Sequence, residues 1–296
     1  MKTIDRILLG QNQFFGVNHV SDLKGNETLA YFSDIENIIN YLTEAVELGI
    51  DALTISTHPT TPFIMDAIRK NKKLKSSLKI YPSIPSATNI LRMTAEMGIP
   101  KTLLYYLRNT SVKEKAKILV GGGMGLINKD LLSLLKALIE VELSIFKGLN
   151  IRGVFLSNNI NDLALGFDLE DVFHEYVSVL EKKDIVPCFN TVNLPFFVNK
   201  MKEYNIEPLP VMAATNKLGF FVNPSLSEFE NTLNTENVRL VVMSSLASGQ
   251  LSPAEAYRYI GSLPNVESIA FGASTKEHVL QNISAINKSV TWDKSI

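Results

Sequence analysis

Two stretches near the C-terminal end of the sequence carry the residue types that bind phosphate groups. Residues 241–250 and 269–282 each begin as a short apolar run and continue into small, polar and glycine residues. The second stretch then passes into a segment of helical period that begins at Thr275. A helix N-terminus presents unpaired backbone N–H groups and the positive end of a dipole, so two such loops side by side would hold an anion. The sequence therefore predicts a site for a phosphate-bearing cofactor or substrate.

A second group that could do chemistry lies within residues 54–61. Alternate side chains of a strand share one face, so Thr54, Ser56 and His58 should point the same way toward the end of that strand. Histidine is the side chain best suited to proton transfer at neutral pH. His58 is our first candidate for a general acid or base, and His19 is the second. The alternative for each is a loop histidine that only caps or hydrogen-bonds its neighbours.

Uncharged polar residues follow most of the other predicted strands and could ring a pocket of hydrogen-bond donors and acceptors. They are Gln11, Gln13, Asn18, Asn158, Asn190, Asn193, Thr215 and Asn216. Few carboxylates stand at these positions, which disfavours a magnesium site or a paired-carboxylate mechanism. His19 and His58 have no evident third zinc ligand, so no metal is predicted.

Two further side chains keep other chemistry open. Tyr81, on the third predicted strand, could donate a phenolic proton, although a core aromatic is the favoured interpretation. Lys217 follows the sixth predicted strand, where a desolvated lysine could form a Schiff base. A solvated loop lysine is the alternative for Lys217.

These residues need a scaffold, and the alternation of short apolar runs with segments of helical period supplies one. Strands are predicted at 6–10, 52–56, 78–82, 151–156, 185–189, 209–213, 239–243 and 268–271. Helices are predicted at 35–48, 62–72, 131–147, 169–182, 194–204, 226–233, 253–262 and 276–286. Eight strands alternating with eight helices predict an α/β fold, a (β/α)8 TIM barrel formed by residues 1–296 as a single domain, in preference to a doubly wound open sheet.

One segment breaks the alternation. Residues 83–129 separate the third strand from its helix and are too long for an ordinary loop of this fold. An insertion after a barrel strand lies on the C-terminal face, where active sites are found. We interpret 83–129 as a lid or substrate wall, with the glycines of 121–125 as its hinge. An extra packing layer without a role in binding is the alternative.

Composition excludes several classes of partner. The 296 residues carry a formal net charge of −1, which gives no electrostatic footprint for nucleic acid. No run of apolar residues is long enough to span a membrane, and the N-terminus lacks the apolar region of a signal peptide, so a cytoplasmic location is predicted. A single cysteine, Cys188, leaves no internal disulfide. A small molecule is the expected partner.

Residues 8–16, 49–56, 244–251 and 271–282 resemble the aldo-keto reductase superfamily, in the order and at the distances of that family. The resemblance implies a barrel that binds NADP or NAD in the last two loops. It places the backbone of Ser245, Leu246 and Ala247 at the pyrophosphate. It also implies the following contacts: Gly272, Ser274 and Thr275 near the ribose or its phosphate, His278 where the family often has arginine, Asn282 facing adenine, and Asn190 at the carboxamide.

The catalytic half departs from that family, which reduces carbonyls with an Asp, Tyr, Lys and His set. By resemblance Thr54 matches the Asp, His58 lies near the place of the Tyr, and Asn158 takes the place of the His. The family's Lys has no counterpart, because Lys79 stands at the start of its strand. Met243 replaces the aromatic residue that stacks on nicotinamide.

The favoured function is therefore an NAD(P)-binding oxidoreductase that acts on a carbonyl or alcohol with a non-standard catalytic set. Two alternatives remain. One is a redox-independent lyase, aldolase or isomerase that uses the phosphate site for its substrate. The other is an inactive barrel that serves as a binding protein.

Overall fold

Short parallel strands alternate with helices along the chain in the computed structural model, which describes residues 2–17, 22–86, 96, 98 and 127–292. The strands are Ile7–Leu9 (β1), Ala52–Ser56 (β2), Lys79–Ile84 (β3), Asn150–Ile151 (β4), Gly153–Leu156 (β5), Val186–Asn190 (β6), Pro210–Ala214 (β7), Arg239–Met243 (β8) and Val266–Phe271 (β9).

Eleven α-helices are found in the same described residues. They are Asp22–Phe32 (α1), Ile35–Glu47 (α2), Thr61–Lys70 (α3), Lys72–Ser77 (α4), Ile127–Ser144 (α5), Asn158–Gly166 (α6), Glu170–Glu181 (α7), Leu194–Glu203 (α8), Leu226–Thr235 (α9), Pro253–Ile260 (α10) and Lys276–Ser289 (α11). Short 3-10 helices span Asn12–Phe15 and Ala247–Gly249.

Eight of the strands close into a ring in which every pairing is parallel. The order is β1, β2, β3, β5, β6, β7, β8 and β9, and β9 pairs with β1 to complete the circle. The two-residue β4 pairs with β3 outside the ring. This confirms the predicted (β/α)8 TIM barrel, and each predicted strand overlaps a strand of the ring.

Three helices were not anticipated from the sequence. They are α1, α4 and α6. In the α4 segment the lysines are exposed, but Asn71 Oδ1 accepts from the Leu74 amide at 3.0 Å and Leu74 is fully buried. A cap and one buried apolar residue are enough to fix a single helical turn against the barrel. The α6 segment is rich in asparagine, so tertiary packing of Ala164 and Leu165 outweighs its low helix propensity.

Several expectations fall wholly or mostly outside the described residues. His19 is one of them, and so is the insertion at 83–129, of which β3 extends to Ile84 and α5 begins at Ile127. The lid and the single-domain organisation therefore stay predictions. Within the described residues, no helix is both long enough and apolar enough to cross a membrane.

Inside the ring, side chains from alternating strand positions pack into one apolar cluster. It contains Leu8, Ala52, Tyr81, Phe155, Val186, Cys188, Met212, Val241 and Ala270. Barrel interiors of this type are filled by such layers, so the interior is a packed core and not a pore. Burial raises the pKa of the Cys188 thiol far above its usual range.

The N-terminal end of the barrel is closed by polar side chains. Tyr81 donates its hydroxyl proton to Asp5 at 2.5 Å, and Lys79 binds both Asp5 and Asp51, at 2.7 and 3.0 Å. Tyr81 therefore points away from the C-terminal end, and burial raises the pKa of its hydroxyl well above the usual range. Tyr81 is a core aromatic, as favoured, and Lys79 lies on the opposite rim, as expected.

A β-bulge joins the last two strands. Leu240 pairs with Val266 and Val241 with Ser268, so Glu267 is the extra residue on β9. Its carboxylate accepts two hydrogen bonds from Arg239, each at 2.8 Å, and both side chains are 5% exposed. Arg239 also binds the carbonyl of Lys2 at 2.8 Å, which ties the N-terminal segment to this end of the barrel.

A matched pair of glycines tests the packing of the helices around the barrel. A Cβ atom on Gly261, which follows α10, would lie 1.9 Å from the backbone oxygen of Ser289 in α11. A Cβ atom on Gly166, at the end of α6, would meet nothing within 4 Å. We expect Gly261→Ala to lower the free energy of unfolding by about 1–3 kcal/mol through forced backbone displacement.

The control, Gly166→Ala, should leave that free energy unchanged or raise it by up to about 1 kcal/mol, because alanine is the better helix former. Urea denaturation followed by circular dichroism measures both. Equal effects of the two substitutions would contradict the close contact between α10 and α11.

Candidate active site at the carboxyl end of the barrel

The C-terminal mouth of the barrel is built from the residues that follow the packed interior layer. Because side chains alternate, Thr54 and Ser56 continue the inward row begun by Ala52 on β2, and Ser83 continues the row of Tyr81 on β3. Asn190 and Met243 do the same after Cys188 and Val241. All of these mouth residues are half-buried: Thr54, Ser56, Ser83, Asn190 and Met243. None of them is charged, so the described part of the mouth is a neutral polar surface.

The strand β2 carries two of the predicted catalytic residues into this mouth. Thr54 is half-buried, and no described residue is hydrogen-bonded to its hydroxyl. His58 is also half-buried and stacks on Phe15, with ring centroids 4.2 Å apart and planes at 27°. Thr54 lies within β2, whereas His58 follows it in the loop after Ser56, so their predicted shared face stays a prediction.

The imidazole of His58 is oriented by the loop that follows it. Nδ1 lies 2.9 Å from the Thr60 hydroxyl and 3.4 Å from the Thr60 backbone N–H. An N–H group can only donate, so these contacts favour the tautomer in which Nδ1 accepts and Nε2 carries the proton. A neutral imidazole with its proton on Nε2 can donate a hydrogen bond to a ligand, and it becomes a proton source only when Nδ1 is protonated as well.

The residue between Ser56 and His58 faces the other way and has a structural role. Thr57 is buried and donates its hydroxyl proton to Glu142 of α5 at 2.5 Å. The same carboxylate accepts from the backbone amide of Ser86, just after β3, at 3.0 and 3.1 Å. Glu142 therefore holds the ends of β2 and β3 together beneath the mouth.

The ends of β5 and β6 supply amide side chains. Asn158 is the first residue of α6 and is half-buried, and no described residue hydrogen-bonds its side chain. Asn190 ends β6, and its Oδ1 is buried without a hydrogen-bond partner among the described residues. A buried unpaired carbonyl oxygen is costly, so Asn190 is suited to accept a hydrogen bond from a ligand or a water molecule.

The loop after β8 has an unusual backbone. Ser244, Ala247 and Ser248 all adopt positive φ angles, of 56°, 45° and 58°. Non-glycine residues avoid this left-handed region, and such strain is often found where a loop must hold a ligand. Ala247 uses its amide to bind the Ser244 carbonyl at 2.9 Å, whereas the amides of Ser245 and Leu246 have no acceptor among the described residues.

The loop after β9 leads into α11 in the predicted way. Thr275 is the N-cap, and its hydroxyl accepts from the backbone amide of His278 at 3.2 Å. Gly272 and His278 are exposed and Ser274 is half-buried. The amides from Gly272 to Glu277 have no acceptor in the described part of the chain. Such a row of free N–H groups at a helix N-terminus favours an anion.

A buried hydrogen-bond chain links the loop after β8 to the helices α10 and α11. Tyr257 of α10 donates to Asn282 Oδ1 at 2.6 Å, and its hydroxyl oxygen lies 3.5 Å from that of buried Ser245. Asn282 Nδ2 donates in turn to the His278 carbonyl at 2.7 Å. Ser245 and Asn282 thus both lie beside the Tyr257 hydroxyl, and both ends of the Asn282 amide are engaged within the protein. A contact between Asn282 and a base would require exchange of these bonds.

Two other candidates do not fit a catalytic role. Lys217 is exposed and so lacks the desolvation that a Schiff-base lysine needs. A cleft of about 210 Å³ is lined by Phe197, Met201 and the starting residues of β7 and β8. It opens at the amino-terminal ends of these strands, opposite the end where barrels of this type place their active sites. No cluster of potential metal ligands occurs among the described residues.

Sequence reasoning named Gln11 only as a member of a polar ring and Ser56 only as one residue of the face shared with Thr54 and His58, and it missed Ser83 and Phe15. Ser83 lies two residues after Tyr81 on a strand, so the alternation rule would have placed it in the mouth. Phe15 had no such signal, because its contact with His58 joins loops 43 positions apart, 58 minus 15.

Structural comparison identifies what this barrel is similar to. No family model matches the sequence, and no curated protein matches it. A putative aldo-keto reductase from Pseudomonas aeruginosa is 13% identical over 97% of this chain and 91% of that one, with a TM-score of 0.60. A thermostable aldo-keto reductase, solved with the inhibitor epalrestat, is 14% identical over 98% and 92%, with a TM-score of 0.57.

An aldo-keto reductase from Bacillus halodurans in its holo form is 12% identical over 87% of this chain and 84% of that one, with a TM-score of 0.55. Dispersin B is also similar, at 11% identity over 97% and 98% with a TM-score of 0.54. The chain therefore has an aldo-keto reductase-like fold. At these identities the likeness describes the fold, and function must be argued from the site.

The hydrogen-bond chain at Tyr257 gives a prediction about the two loops. Tyr257→Phe leaves the buried Asn282 Oδ1 without a donor, so we expect the free energy of unfolding to fall by about 1–3 kcal/mol. Tyr31→Phe removes a hydroxyl from an exposed ring of α1 and should change it by less than about 0.5 kcal/mol. Urea denaturation of both variants measures the difference. Indistinguishable stabilities would contradict the hydrogen bond between Tyr257 and Asn282.

Proposed function

We propose that this aldo-keto reductase-like barrel is an NAD(P)-binding oxidoreductase that acts on a carbonyl or alcohol with a non-standard catalytic set. The observation that carries the proposal is the pair of adjacent loops after β8 and β9, whose free backbone amides border a neutral barrel mouth. A dinucleotide needs both parts: an anion site for its phosphates and a neutral, partly enclosed site for its nicotinamide.

The residues present fit such a cofactor. The amides of Ser245 and Leu246 would hold the pyrophosphate, and those of the α11 N-terminus, near Ser274 and Thr275, would hold the ribose end. Gly272 has no side chain to obstruct this approach, and a Cβ atom there would lie 3.4 Å from Gln13. Ala247 would contact the cofactor only by van der Waals packing, because its amide already donates to the Ser244 carbonyl. His278 and Asn282 would border the adenosine.

The other end of the cofactor would lie in the mouth. Asn190 Oδ1 is a buried acceptor to which no described residue donates, and the amide group of a nicotinamide would supply a donor. The polarisable thioether of Met243 would pack against the face of the nicotinamide ring, where the resembled family has an aromatic residue. When bound, NAD(P)H supplies a hydride to the carbonyl carbon of the substrate.

The carbonyl oxygen must then receive a proton, and His58 as the imidazolium is the residue proposed to supply it from Nε2, which leaves a neutral imidazole. Phe15 and Thr60 fix the orientation of its ring. Thr54 and Asn158 would hydrogen-bond the substrate at the mouth, and His19, outside the described residues, remains the second candidate for proton transfer. In the reverse direction His58 would accept the proton of an alcohol.

The non-redox alternative would use the same anion site for a phosphorylated substrate. Exposure of Lys217 removes the observation that favoured a Schiff-base aldolase. A cytoplasmic location, a small-molecule substrate and a lid at 83–129 complete the proposal.

Cofactor binding is the first test. Titration with NADPH and with NADH, followed by fluorescence and calorimetry, should give saturable binding of at least one. Ser274→Asp puts a carboxylate beside the proposed phosphate site and should weaken that binding at least about tenfold, or about 1.4 kcal/mol. Ser76→Asp, on exposed α4, makes the same change elsewhere and should leave it unaltered. No binding of either nucleotide at millimolar concentration would end the oxidoreductase assignment.

Proton transfer is the second test. His58→Gln should lower kcat for reduction of a reactive aldehyde such as 4-nitrobenzaldehyde by about 10²–10⁴-fold while NADPH affinity is retained. His174→Gln is the matched control, because His174 is exposed on α7, where its Nε2 lies 3.4 Å from Glu170 Oε1. A normal kcat in His58→Gln would assign the proton donor to another residue.

A further inference from the structure

The strongest unassigned feature of the mouth is a two-point contact between Gln11 and Ser56. Gln11 Nε2 donates to the Ser56 hydroxyl oxygen at 2.6 Å, and the Ser56 backbone amide donates to Gln11 Oε1. A backbone N–H can only donate, so it fixes which end of the glutamine amide carries the oxygen. The amide NH₂ must then face the serine hydroxyl.

This geometry determines where the hydroxyl proton goes. Because Ser56 Oγ accepts from Gln11, its own proton points elsewhere, and no other described residue accepts it. Ser56 belongs to the inward row of β2 and is half-buried in the mouth. An oriented O–H donor at the edge of a cavity, polarised by a second hydrogen bond, is suited to bind an oxygen atom of a ligand.

The neighbouring side chains have the same character. Ser83 stands opposite Ser56 in the register of β2 and β3, and Thr54 lies one inward position below it. Neither hydroxyl has an acceptor among the described residues. With no charged side chain among the described mouth residues, this hydroxyl patch (Thr54, Ser56 and Ser83) offers donors without a cation. It would therefore favour a neutral oxygen over a carboxylate, which would lose its hydration without gaining a countercharge.

We propose that Ser56 is a substrate-binding donor for the carbonyl or hydroxyl oxygen of a neutral ligand, and that Gln11 is the positioning residue that aims its proton. The identification of that ligand as the substrate rests on the proposed oxidoreductase function. The hydrogen bond itself does not, which allows the two to be tested separately.

Gln11→Glu directly tests the direction in which the Ser56 hydroxyl proton points. A carboxylate of the same size still accepts from the Ser56 amide, but its second oxygen also accepts from the Ser56 hydroxyl and turns the proton away from the mouth. Ser56→Ala removes the donor, and Ser56→Thr restores it. Ser262→Ala and Asn231→Asp are the matched controls, because both residues are exposed and lie on the helix layer outside the mouth.

Binding of benzamide, a neutral carbonyl compound, is measured by saturation-transfer NMR titration, with benzoate as the anionic comparison. We expect the wild type to prefer benzamide, and Ser56→Ala and Gln11→Glu to weaken benzamide about five- to tenfold, the range of one hydrogen bond. Ser56→Thr and both controls should bind as the wild type does. With 4-nitrobenzaldehyde and NADPH the same two variants should raise KM more than they lower kcat.

Two results would overturn the proposal: no benzamide binding to the wild type at millimolar concentration, or benzamide affinities of Ser56→Ala and Gln11→Glu equal to those of the controls. Failure of nucleotide binding alongside Ser56-dependent benzamide binding would remove the oxidoreductase function and support the donor. Nucleotide binding with Ser56-independent benzamide binding would support the oxidoreductase function and overturn the role of Ser56 as a donor.

Discussion

The register of the last two strands depends on one buried ion pair. Glu267 is the extra residue of the β-bulge, and without a partner its carboxylate would be a buried charge costing several kcal/mol. Arg239 satisfies it with two hydrogen bonds and also binds the chain end at Lys2. Beyond the bulge, Val241 pairs with Ser268, and this register carries both strands to the carboxyl end. The two loops proposed to hold a dinucleotide are therefore positioned from the opposite end of the barrel.

The same register explains why the mouth carries uncharged side chains while the loops at its border present backbone N–H groups. The interior rows end in Thr54, Ser56, Ser83, Asn190 and Met243, which bring hydroxyl, amide and thioether groups but no charge. The proposed anion affinity would come from backbone N–H groups at the border, which no side-chain substitution removes. A site of this kind separates its tasks: the backbone holds the charged part of a ligand, and neutral side chains select and orient the reacting part.

The sequence predicted the scaffold well because buried parallel strands are continuous apolar runs, and all eight such runs lie in the ring. It also placed Thr275 correctly at the start of α11. The contacts between residues of the site were harder to predict from the sequence. The pairing of Gln11 with Ser56 spans 45 positions and depends on the register of β1 against β2, which hydrophobic pattern alone does not give. Likewise, the resemblance assigned Asn282 to a contact with a base. In the structure Asn282 instead accepts from the Tyr257 hydroxyl, a contact that depends on how α10 packs against α11.

The position of the single cysteine has a practical consequence. Cys188 is fully buried on the barrel axis, and its thiol is far from the ionised form that reacts with electrophiles. A maleimide or iodoacetamide reagent would consequently modify this protein only when the ring opens. The chain thus carries a built-in reporter of global opening, and a cysteine introduced on any outer helix could be labelled selectively with a fluorophore while the native thiol stays silent.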